Sequence, residues 1–153
     1  MGLELITEFL GLSGCFVKDI IICEGKIILT VESEGFLLCP QCGQVYIEAP
    51  KDSRIQEVED LSVFGRRCFL RLWKYRIECD CGYRGTEHLE WLDRYQRFTV
   101  RYGKWIYAFC KRMTGIDVSR IFGISKHTVY RLDREGIEEE LSVQKEMFLR
   151  ESV

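Results

Sequence analysis

Apolar positions along the chain change their period several times, and each change marks an element. Leu3, Leu5, Ile6, Phe9 and Leu10 follow helical spacing and predict a short amphipathic helix that closes near Gly11 and Gly14. Cys15 to Cys23 and Lys26 to Val31 are β-branched runs parted by Glu24-Gly25, which reads as the turn of a hairpin. Val45 to Ala49, Ile55 to Val58 and Arg67 to Cys79 are again β-branched and aromatic, with Phe64-Gly65 turning the second run into the third. After Phe98 the period returns to that of a helix. Tyr102, Trp105, Ile106, Phe109, Cys110 and Met113 make one stripe, Thr99 stands where a cap belongs, and Gly115 would end the element. Val118, Ile121 and Phe122, then Val129 and Leu132, predict two further helices hinged at Gly123, and the tail from Glu135 is acidic and helical in pattern. The whole reads as α+β, with a β-rich domain over 1–93 and an all-α domain over 94–153.

The hinge between Val118 and Leu132 reads as a helix-turn-helix. Gly123 can take the positive φ that ends the first helix, Ile124 can plug the gap beneath the turn, and Ser125 can cap the second helix, as Asp117 can cap the first. The outward positions of the second helix are then Lys126, His127, Tyr130, Arg131 and Arg134, groups of the kind that meet phosphates and base edges in a major groove. An ordinary helical hairpin with a solvated basic face is the plainer alternative.

Composition sharpens this reading. With 46% hydrophobic and 12% aromatic residues among 153, the chain can bury a core. No apolar run reaches the roughly 18 residues of a membrane span, and the N-terminus lacks the basic start of a secretory signal, so a cytoplasmic protein with no membrane partner is expected. The net charge of −2 conceals an asymmetry. Residues 1–65 carry 4 basic and 11 acidic side chains, whereas residues 94–134 carry 10 and 2. A basic segment that contains the helix-turn-helix is the electrostatic footprint of double-stranded DNA as a partner. Arg101, Lys104 and Lys111, on the polar side of the preceding helix, are candidates for its phosphates.

The cysteines carry the second chemistry. Cys39-Pro-Gln-Cys42-Gly43 has the spacing of a zinc knuckle, and Cys79-Asp-Cys81-Gly82 is its partner, one residue shorter than usual. Two thiolate pairs suit one tetrahedral ion. The shortened second pair leaves Cys68 and His88 as substitutes for the fourth ligand, and four reduced core cysteines are the alternative to a metal. Cys15, Cys23 and Cys110 lie in apolar patterns and read as small buried hydrophobes. Arg66, Arg67, Arg71, Lys74 and Arg76 form a basic run that reads equally as a phosphate-facing stripe or as a solvated strand beside aromatic residues.

The order of these motifs, CPQCG, EDLSVFGRRCFLRLWKYRIEC, RYQRFTVRYG and GISKHTVYRLD, resembles the N-terminal part of transposases of the ISL-three insertion-sequence family over about residues 5–140. The resemblance implies zinc on Cys39, Cys42, Cys79 and Cys81 and a DNA-reading segment, Ser125 to Arg134, directed at terminal inverted repeats. In that family an RNase H-like catalytic domain follows. With the chain stopping at Val153, the expectation is a protein that binds without cutting and is no enzyme, with a homodimer among the assemblies the reading allows. A stand-alone repressor, or a zinc-ribbon module that docks onto another protein through its acidic half, are the alternatives.

Overall fold

The structure, a computed structural model, describes residues 2–48, 50, 52–95 and 97–151. Contacts divide it into two units, 1–100 and 101–153. Strands fill the first as far as Thr86 and helices dominate from Val100 onward, so the chain is α+β.

The first unit opens with helix α1 (Gly2–Leu10), which stops at Gly11 in the left-handed region (φ 61°). Strands β1 (Cys15–Cys23) and β2 (Lys26–Ser33) form the expected antiparallel hairpin about Glu24-Gly25. Two short strands follow, β3 (Leu37–Leu38) and β4 (Val45–Tyr46), paired with each other. The run expected from Val45 to Ala49 is a strand only at Val45–Tyr46, and Ala49 lies outside the described residues. Strand β5 (Ser53–Val63) is longer than the expected Ile55–Val58 run, while β6 (Arg66–Glu78) nearly matches the expected Arg67–Cys79 run; the added length of β5 comes from its antiparallel pairing along β6, from Ser53↔Tyr75 to Val63↔Arg66. Phe64 (φ 49°) and Gly65 (φ 76°) turn one into the other. This is the tight hairpin turn that needs positive φ twice, and Phe64 accepts it while 98% exposed. Strand β7 (Arg84–Thr86) adds to the end of β6.

The main sheet runs β1-β2-β6-β5. The β2–β6 pairing is parallel, from Lys26↔Arg67 to Thr30↔Arg71, and apolar periodicity carried no sign of it. Leu10, Val17, Leu29, Val31, Val58, Cys68, Leu70, Leu72, Trp91 and Leu92 form the core against this sheet, together with Cys15. Cys23, expected to be buried, is exposed at the hairpin end, and Cys110 is half-buried. Two of the polar groups inside are paired directly, the Thr99 hydroxyl donating to Asp60 Oδ1 (2.6 Å) and Lys74 Nζ to the Glu87 carbonyl (2.8 Å), while the buried Trp91 indole N–H meets no acceptor among the described residues.

In the second unit α2 (Val100–Cys110) ends earlier than its apolar stripe, so Met113 lies in the turn after it. Helix α3 (Gly115–Phe122) begins at the glycine expected to close α2. Its cap is Thr114, not Asp117: the Thr114 hydroxyl accepts from Asp117 N and donates to the Asp117 carboxylate (2.6 Å), a reciprocal pair across the first turn. Helix α4 (Lys126–Glu151) runs without a break through the acidic tail. Val118 and Val129 are fully buried, with Ile106, Tyr102 and Leu132 beside them in burial, while Ile121, expected on the apolar face, is 57% exposed. Phe122 meets Phe109 and Tyr102 edge-on, at 5.2 and 6.1 Å between ring centroids. No helix among the described residues is long and apolar enough to cross a membrane.

Candidate metal centre and helix-turn-helix

The two cysteine pairs, separated in sequence by β4, β5 and β6, converge in space. Cys39 follows β3 and Cys42 precedes β4, while Cys79 follows β6 directly and Cys81 precedes β7. Their four sulfurs lie within 4.8 Å of one another, with Cys39 Sγ 3.7 Å from Cys81 Sγ and Cys42 Sγ 3.5 Å from Cys79 Sγ. Sulfurs bound tetrahedrally to zinc at about 2.3 Å stand about 3.8 Å apart, so the spacing fits a metal of that size. The shortened pair is accommodated because both of its sulfurs, like that of Cys42, still receive an N–H two residues on: Cys81 to Cys79, Tyr83 to Cys81, and Gln44 to Cys42. Gly43 (φ 74°) and Gly82 (φ 96°) supply the backbone turn.

The thiols do not share their protons evenly. The Tyr46 hydroxyl and the Cys81 N–H hold Cys79 down at about 6. Cys81, although favoured by the Tyr83 N–H, is pushed up to about 12 by desolvation and by the three neighbouring thiols. Four thiolates at these distances call for a cation at their centre. Cys68, considered as a substitute, is 1% exposed in the sheet core, and His88 is exposed and outside the cluster.

The expected basic stripe on β6 is not a row of uncommitted cations. Arg67 makes a two-point contact with Glu59 (2.8 and 2.9 Å), Arg71 reaches Glu57 (3.0 Å), and Lys74 is buried against Glu87. Burial pushes the Lys74 amine down and the Glu87 carboxyl up.

The helix-turn-helix forms as the local residues dictate. Gly123 takes φ 64°, the Ser119 hydroxyl donates to the Ile124 carbonyl across the turn (2.6 Å), and Ser125 Oγ accepts from Thr128 N (3.2 Å) to cap α4. Glycines permit close packing: a Cβ on Gly115 would fall 2.8 Å from the Tyr130 ring and one on Gly103 3.2 Å from Leu132. Lys126, His127, Tyr130 and Arg134 are exposed on the first turns of α4. Arg131 is not with them: its side chain is 14% exposed and bonded to Glu135 (3.1 Å) one turn on. Of the expected phosphate contacts, Lys104 is paired with Glu139 (3.1 Å), Lys111 with Glu140, and Arg101 is half-buried. Arg120, passed over in the sequence, is 78% exposed on α3, where the first helix of such a motif meets a phosphate backbone; that position was the available signal.

A four-cysteine ribbon followed by a helix-turn-helix defines the class of chain. The family model described as the zinc-finger of transposase IS204/IS1001/IS1096/IS1165 matches residues 37–81, and that of the helix-turn-helix domain of transposase family ISL3 matches 87–136. The chain is also 33% identical over 99 residues, 64% of its length, to the transposase for insertion sequence element IS1001 of Bordetella parapertussis, of which it covers 24%. Residues 37–81 and 87–136 thus match, one after the other, the zinc-ribbon and helix-turn-helix domains of ISL-three transposases, and the chain spans about a quarter of the length of the transposase it matches. No solved structure matches the chain.

Proposed function

We propose that this chain is the DNA-end-recognition module of a transposase: it binds double-stranded DNA at terminal inverted repeats and holds one zinc ion on Cys39, Cys42, Cys79 and Cys81. The observation that carries the DNA reading is the exposure of Lys126, His127, Tyr130 and Arg134 on the helix that begins immediately after the left-handed Gly123 turn. Those side chains reach base edges, with His127 and Lys126 nearest the end that enters a major groove. Arg131 joins them only by leaving Glu135. Arg120, Arg101, Lys104 and Lys111 contact phosphates, Lys104 and Lys111 by exchanging their glutamate partners and Arg120 by leaving Asp117 (3.9 Å). Zinc, when bound, supplies a cross-link between the two knuckles and no chemistry on DNA. Neither matched segment is a catalytic one, and no strand cleavage is assigned to these residues.

Selection from randomised duplexes tests it. Wild type should enrich one site, and Lys126→Ala or Tyr130→Ala should lose roughly 1–3 kcal/mol on that site with relaxed preference at one position. Arg120→Ala should weaken all sequences alike and lower the salt slope by about one. No enrichment by wild type, or identical sites from wild type and both α4 variants, removes this helix from the reading role.

A further inference from the structure

Helix α4 continues well past the segment that packs in its own unit, and its last turns change character on one face. Ile137, Leu141, Gln144 and Phe148 follow one another at steps of four, three and four residues, the repeat of a two-helix seam. Ile137 is 45%, Leu141 59% and Phe148 70% exposed. A stretch of this length is marginal as a helix in water without a partner. We infer that this seam pairs antiparallel with the same seam of a second copy of the chain.

Three features select a second copy and this direction. One register satisfies both layers: Ile137 stands opposite Phe148 of the second copy while Leu141 stands opposite Gln144, and the two-fold axis repeats each layer. Glu138 and Lys145 flank the seam on the same side, so the register sets Glu138 beside Lys145 of the second copy, twice per dimer. Glu139 and Glu140 are drawn away from it onto Lys104 and Lys111 of their own chain. Charge distribution then decides between directions. Residues 101–134 carry 8 basic and 2 acidic side chains, and residues 135–153 carry 2 and 6. Parallel pairing would place two basic heads side by side; antiparallel pairing separates them and lays each acidic tail toward the other copy's basic head. The residues proposed to read DNA precede the seam and stay outside it.

Sedimentation of the full chain under reducing conditions, without DNA, tests this over a concentration series. The mass should rise from one chain to two, and Leu141→Glu should hold it at one, with helical dichroism and melting matching those of the wild type at concentrations where it too is a single chain. Glu138→Lys and Lys145→Glu should each weaken the dimer several-fold, and the two together should restore it. A single-chain mass at every concentration, or a dimer that survives Leu141→Glu, overturns the pairing. Charge reversals without effect overturn the antiparallel register. Since no DNA is present, these outcomes are separate from those that test the reading helix.

Discussion

Gly136 offers a sharp test of how α4 is held. It lies inside a long helix, where glycine is usually the weakest residue and alanine would add about 1 kcal/mol of stability. Here, however, a Cβ would fall 2.4 Å from Tyr107 Cγ and 2.5 Å from both Cδ atoms, well inside contact distance. Cγ is the root of the ring, so the clash is not relieved by turning the ring about its own axis; Tyr107 must leave its rotamer or α2 must draw away from α4. That ring is also tied by its hydroxyl to Glu140 (3.0 Å) and lies beneath the Lys111 amine, 4.8 Å from its centre. Overpacking of this kind costs about 1–3 kcal/mol. Set against the propensity gain, Gly136→Ala should destabilise the helical unit by about 1 kcal/mol. The sign should reverse once the ring is gone: in a Tyr107→Ala background the same substitution should stabilise by about 1 kcal/mol. Urea unfolding followed by far-ultraviolet dichroism measures both. If Gly136→Ala stabilises equally in the two backgrounds, the ring imposes nothing and the packing argument fails.

Metal analysis of protein purified with reductant should find about one zinc per chain, and Cys81→Ser should lower affinity as much as Cys42→Ser does, whereas His88→Ala should leave it unchanged; damage from His88→Ala alone would reassign the fourth ligand. Lys111 and then Tyr107 hold the Glu140 carboxyl below its usual 4.5, so its contribution to stability is present above that pH and lost as pH falls through the folded-state value. Glu140→Gln should flatten that part of an acid titration of the helical unit, and an unchanged acid limb would show that the pair contributes nothing.

What could be read beforehand followed from chemistry that is local in sequence. Glu24-Gly25, Phe64-Gly65 and Gly123 through Ser125 each declare their backbone within a few residues, and the turns formed where they stand. The cysteine pairs announced a metal by spacing alone, and the sulfurs do converge. The misplacements arise where a second element decides. Asp117 reads as the cap of the helix after Gly115, but α3 already begins at Gly115 and Thr114 takes the capping place. Arg131 looked outward by helical phase, but Glu135 one turn on drew it in. Lys74 fell in a basic run, and its burial depends on the Glu87 carbonyl, which the sheet brings beside it.

The position of the sulfur cluster bears on how the sheet assembles. The β5–β6 hairpin can close by itself through its two-residue turn, but β6 must also find β2, its parallel neighbour, from which β3, β4 and β5 separate it along the chain. Cys39 follows β2 by a few residues of chain, and Cys79 is the next residue after β6. An ion gripping both pairs tethers the far end of β6 close to the far end of β2, the ends that a parallel pairing requires to be neighbours. Metal capture therefore shortens the effective loop that this slow, non-local step must close, and apoprotein and metal-bound protein should differ in refolding rate through the docking of β6 onto β2 while hairpin formation is left untouched.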